Sequence, residues 1–193
     1  VLHTPRQDVP LKVNGSLGEL TMNADIYNPV LDYLGDHQPH TLGEIRVKLA
    51  KRRISLSQIL ETTLVLTGAG HVSPCQDEAG VERSRESSRR LNAELLHKAR
   101  GSADLEYVVS PLTGGGIPAG RFDLLFPDVM QAGKKGADAL AGHAWDCLQR
   151  NQQAIIKQGK TLTTAEENLA ELKAIHAIFE NKRLPILKAL GVI

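Results

Sequence analysis

Cysteine is nearly missing from this sequence. Cys75 and Cys147 are the only two in 193 residues, and they stand far apart. This rules out a disulfide scaffold and fits no metal or redox spacing; it suits a reducing, cytoplasmic compartment. Aromatic residues make up 4% with a single Trp, so Leu, Ile and Val must build the core. No apolar run approaches the roughly 18 residues of a membrane span, and no signal peptide is visible. Excess charge is missing too: a net charge of +1 with 23% charged residues points to neither nucleic acid nor membrane. A further gap is local. Between Arg53 and Arg83 there is no Lys or Arg.

What remains is 41% hydrophobic, enough for one large domain or two small ones. The first residue is Val1 rather than Met, and a piece of a longer protein is expected. Val9 to Met22 alternate apolar and polar around Asn14-Gly15, a hairpin signal. Asp25 is expected to cap a helix to Leu34, with Pro29 in its first turn and Ile26, Val30, Leu31 and Leu34 inward. Thr41 to Glu44 and Ser55 to Gln58 are capping boxes. The helices they open are expected to bury Leu42, Ile45 and Leu49, then Leu56, Ile59, Leu60 and Leu64. A short strand, His71 to Cys75, and a turn, Asp77 to Gly80, complete a winged-helix order.

Residues 1–81 thus read as a winged-helix-like domain with an N-terminal hairpin, and 82–193 as a helical subdomain with a Gly-rich loop. The fold class is mainly α with small β elements. In the second part a charged helix, Glu82 to Arg100, carries Leu91, Leu95 and Leu96. A strand, Leu105 to Ser110, leads to the loop Pro111 to Gly120 and a helix through Phe122, Phe126 and Val129. Ala137 to Gln158 reads as a long helix with Trp145 in the core, capped by Gly159. Thr164 to Glu167 is a third capping box, opening a helix with Leu169, Leu172, Ile175 and Phe179 inward. Pro185 breaks that helix.

The third helix of a DNA-binding winged helix offers Arg, Lys, Asn or Gln to base edges. Here it offers Ser57, Gln58, Glu61, Thr62 and Thr63. Lys48, Lys51, Arg52 and Arg53 precede it and could grip phosphates in a DNA-binding alternative. Gly114, Gly115 and Gly116, with Arg121 nearby, could admit a substrate or partner close to the backbone; a turn requiring positive φ is the plainer reading. Gly159-Lys160-Thr161 lacks the earlier glycine of a P-loop, since Ala154 stands there. His37 and His40 find no matching ligand pair. Cys147 has no evident base, and Glu166, Glu167 and Glu171 suit a helix N-terminus. No catalytic, cofactor or metal residue can be assigned.

Two sets of segments carry a resemblance. The first is Asp8-Val-Pro-Leu-Lys-Val-Asn-Gly-Ser-Leu-Gly-Glu-Leu-Thr21 with Ile26 to Leu31 and Pro39 to Glu44. The second is Ser110-Pro-Leu-Thr-Gly-Gly-Gly-Ile-Pro-Ala-Gly-Arg-Phe-Asp123 with Thr163 to Leu172 and Leu184 to Gly191. Together they resemble the C-terminal half of bacterial class I methyltransferases that carry a methyltransferase regulatory domain, some of them protein-lysine methyltransferases. The resemblance implies a separate N-terminal Rossmann-like domain that binds S-adenosylmethionine. It further implies that this region shapes a substrate cavity, supports a homodimer or regulates. The sequence itself holds no glycine-rich cofactor turn. The expected partners are therefore that missing catalytic domain or a second copy, with nucleic acid and membrane disfavoured.

Overall fold

In a computed structural model, which describes residues 1–15 and 18–193, the chain forms two compact units, Val1–Glu78 and Ala79–Ile193. Both are mainly helical, with small two-stranded antiparallel sheets.

The first unit opens on a hairpin, β1 (Lys12–Gly15) against β2 (Gly18–Thr21), in which Lys12 pairs with Thr21. Asn14 and Gly15 belong to strand β1 rather than to its turn. The connecting residues, 16 and 17, lie outside the described ones. Helix α1 (Ala24–Leu34) is capped by Asn23, whose side chain accepts from the Asp25 N–H at 2.9 Å; Asp25 is not the cap. Pro29 is interior to α1, beyond its first turn, and buried. A proline there removes one helix hydrogen bond, and burial of its ring against the core offsets the loss.

Helix α2 (Leu42–Leu49) and helix α3 (Leu56–Gly68) begin with the expected capping boxes. The Thr41 hydroxyl accepts from the Glu44 N–H at 3.1 Å, and the Glu44 carboxylate accepts from the Thr41 N–H at 2.7 Å. That backbone bond and the Thr41 hydroxyl hold the Glu44 carboxyl below its usual range. Ser55 and Gln58 repeat the arrangement at 3.3 and 2.8 Å. The expected wing is reduced. Val72 makes a single bridge to Leu2, and α4 (Glu78–Lys98) starts where a turn was expected at Asp77 to Gly80.

The core of this unit is aliphatic: Leu2, Val30, Leu31, Ile59 and Leu66 are fully buried. Thr62 joins them, and its buried hydroxyl has no hydrogen-bond partner. An unmet hydroxyl costs its full desolvation. Thr62→Val should therefore raise stability by about 1 kcal/mol in urea unfolding. A loss of similar size would show that the hydroxyl is satisfied.

In the second unit α4 buries Val81, Ser88, Asn92 and Leu96, whereas Leu91, expected inward, is exposed. Asn92 exchanges two bonds with Val109 of β3 (Tyr107–Ser110), at 2.7 and 2.8 Å, and donates to Val192 O at 3.1 Å. A buried amide thus ties this charged helix to β3, beside the apolar contacts of Val81 and Leu96. Strand β3 pairs with β4 (Gly115–Pro118), then α5 (Arg121–Gln131) and α6 (Ala137–Arg150) follow. Helix α6 ends eight residues earlier than expected. Gln158 and Gly159, at φ 49° and 77°, instead turn a small hairpin between β5 (Ile156–Lys157) and β6 (Lys160–Thr161), so Gly159 is no helix cap.

Helix α7 (Ala165–Ile178) starts at the third capping box and leads through a π-helical turn, Phe179–Arg183, into α8 (Leu184–Ala189). Its inward face is Asn168, Leu172 and His176, continued by Phe179; Leu169 and Ile175 are only half-buried. Phe126 of α5 is the hub, with ring centroids 5.3 Å from both His176 and Phe179. Trp145 is half-buried at the edge of α6, not in the core.

Candidate functional site

The glycine-rich loop resolves into ordinary secondary structure. Gly115 and Gly116 are paired residues of β4, and Gly114 supplies φ 68° at the tight turn. Gly116 packs under the Tyr107 ring, while a side chain at Gly115 would meet nothing. Gly114→Ala should cost about 1 kcal/mol through its left-handed backbone, and Gly115→Ala close to nothing. Equal effects in urea unfolding would contradict this geometry.

The end of the loop is clamped. Asp123 accepts from the Gly120 N–H at 3.0 Å and from Arg183 Nε at 3.0 Å. Arg183 also donates to Pro118 O at 2.9 Å. Arg121 follows as the first residue of α5. Its guanidinium is sealed inside, close enough to Cys147 and Asp104 to feel both, and burial pushes its pKa below the ordinary arginine value.

The structure gathers a group that sequence reading missed. Asp128 on α5, almost fully buried, accepts from Arg100 Nε at 2.7 Å and Nη2 at 2.9 Å. His143 Nε2 lies 3.0 Å from the same carboxylate and 3.6 Å from Cys147 Sγ. Asn151 donates to Arg100 O at 2.7 Å. The readable signal was His143 and Cys147 four apart on one helix face. Asp128 and Arg100 come from other segments and carry no such spacing.

Cysteine, histidine and aspartate in contact suggest a nucleophilic triad, but the geometry denies it. One nitrogen, Nε2, faces both partners. Against a carboxylate it must carry the proton, so no lone pair is left to deprotonate the thiol. Burial, then Asp128, raises the Cys147 pKa above the usual thiol value. Cys75 is exposed and Cys147 buried. One thiol should react rapidly with a chromogenic disulfide, and the second only on unfolding. Two fast thiols would reopen the nucleophile reading.

His37 and His40 are tied separately, His37 Nδ1 to Leu2 O at 2.9 Å and His40 Nε2 to Asp36 at 2.8 Å. Among the described residues no group of three side chains could hold a metal. None of their helices is long and apolar enough to cross a membrane.

On the first unit Lys48, Lys51, Arg52 and Arg53 are all exposed, at the end of α2 and in the 3-10 turn Ala50–Arg52 that follows. Arg52 faces a depression it shares with Asp25 and Asp32, which lowers the positive potential there. The outer face of α3 corrects the expectation most. Ile59, Thr62 and Leu66 are its buried stripe, while Leu56, Leu60 and Leu64 point outward, Leu64 with 69% of its surface exposed. Leu42, expected inward on α2, is exposed as well. Leu42, Ile45, Leu60, Leu64, Val72 and Pro74 line a groove of about 520 Å³. No Lys, Arg, Asp or Glu lines it among the described residues. Where a DNA reader needs donors for base edges, this helix presents leucine.

The chain is similar to uncharacterized protein sll1526 of Synechocystis sp., with 30% identity over 191 residues. The match covers 99% of this chain and 37% of that protein, so the chain spans little more than a third of its relative's length. No family model matches the chain. No solved structure matches it either.

Proposed function

We propose that this chain is a non-catalytic accessory region of an S-adenosylmethionine-dependent methyltransferase, and that the α2–α3 groove is where its cofactor-binding domain docks. The observation that carries the docking half is the leucine row on α3. Exposed Leu56, Leu60 and Leu64 beside a groove lined by no Lys, Arg, Asp or Glu among the described residues suit a protein surface better than a phosphate backbone. The methyltransferase half rests on the segment resemblance. In that reading the cofactor is held by a domain other than these small antiparallel sheets and helices. Similarity to part of a much longer protein agrees with that division of labour.

Titration calorimetry tests this reading. The 193-residue chain should give no heat with S-adenosylmethionine, and the protein expressed from the complete reading frame should bind it. A complete protein that does not bind the cofactor removes the methyltransferase reading.

The exposed basic run Lys48, Lys51 and Arg53 favours one alternative, a winged-helix DNA-binding regulator. Three phosphate contacts would make affinity fall with salt at a slope of about −3 on logarithmic axes. Absence of DNA binding at low salt eliminates it.

A further inference from the structure

Arginine normally buries its aliphatic stem and keeps its charged head in water. Arg121 does the reverse. The residue as a whole is partly exposed, yet Nε, Nη1 and Nη2 are all sealed from solvent, and none has a hydrogen-bond partner. Arg100 and Arg183, by contrast, are paired, with Asp128 and Asp123 respectively. Asp104 lies close enough to act on Arg121 but makes no hydrogen bond to it. A guanidinium sealed without a hydrogen-bonded carboxylate is expensive, because five N–H donors lose water and gain no acceptor.

The surroundings make the imbalance sharper. Arg100, Arg121 and Arg150 all lie near the Cys147 thiol, and Asp128 is the one carboxylate acting on that sulfur. That carboxylate is already occupied by Arg100 and His143. Arg121 is also the first residue of α5, where the helix dipole disfavours a cation. Asp123, which could answer it from the same turn, is committed to Gly120 and Arg183.

We propose that Arg121 is the anchor of an internal oxyanion site, which takes a carboxylate or phosphate-type group through the fork of its guanidinium. A carboxylate or a phosphate-type group can offer two oxygens to that fork and supplies the missing charge. The site is independent of the methyltransferase reading and of the groove on the first unit.

The test is thermal unfolding of the 193-residue chain in sodium phosphate or sodium acetate, each against sodium chloride at matched ionic strength. One of the two should raise the midpoint of the second unit by a few degrees, saturably. Phosphate alone identifies a phosphate-class ligand and acetate alone a carboxylate. Phosphate also stabilises proteins non-specifically, so the variant decides. In Arg121→Met the saturable shift should vanish, and in chloride this variant should melt no lower than the parent. Arg121→Lys, which keeps the charge without the fork, should retain under a tenth of the affinity. It also serves if Arg121→Met does not fold. No saturable shift with either anion, or one that survives in Arg121→Met or in Arg121→Lys at full strength, overturns the proposal.

Discussion

Asp128→Ala should unfold the second unit at markedly lower urea, with a loss of about 2–3 kcal/mol. Asp128 is an acceptor that joins three segments: Arg100 after α4, its own helix α5, and His143 on α6. Removing one partner of a buried pair costs about 3–5 kcal/mol because the other is stranded. Arg100 is 41% exposed, so it can turn to water and part of that cost is recovered. His143 is better enclosed and keeps an unmet donor. Asp128→Asn should fall between, since its amide oxygen still accepts one Arg100 bond. A loss below about 0.5 kcal/mol for Asp128→Ala would mean that the cluster contributes nothing beyond a surface ion pair.

The second large effect belongs to the groove. Leu60→Glu with Leu64→Glu should leave the fold intact, because neither side chain belongs to the buried stripe of α3. Unfolding free energy should change by no more than about 0.5 kcal/mol. Association with the cofactor domain should nonetheless fall at least about a hundredfold, since two desolvated leucines in an interface centre are worth roughly 1.5–3 kcal/mol each. The opposite pattern, a collapsed first unit, would place these leucines in the core after all. Self-association of the parent chain that the double variant abolishes would assign the groove to a second copy.

These two sites show which physics a sequence displays. All three capping boxes stand where the spacing put them, because a cap is settled within four residues. The mainly helical class with small antiparallel sheets was equally legible. Helix α3 was ambiguous, since leucine at 56, 60 and 64 forms one apolar stripe and Ile59, Thr62 and Leu66 another. Only tertiary packing chooses between two stripes on one helix. Threonine at the centre of the chosen stripe hid it. The end of α6 was misplaced because a left-handed glycine serves a hairpin turn as well as a helix cap. The loop glycines drew attention through composition, yet they close a turn and pair in a strand. Arg121 was singled out by its place beside the loop; that its guanidinium nitrogens are buried without hydrogen-bond partners was not legible in the sequence.

The most direct measurement is methyl transfer from radiolabelled S-adenosylmethionine by the protein of the complete reading frame, with and without Leu60→Glu and Leu64→Glu. The account predicts incorporation by the parent and a loss of at least tenfold in the double variant, with cofactor affinity unchanged. Undiminished incorporation in the variant would contradict docking through α3, and no cofactor domain in the frame would contradict the methyltransferase reading itself.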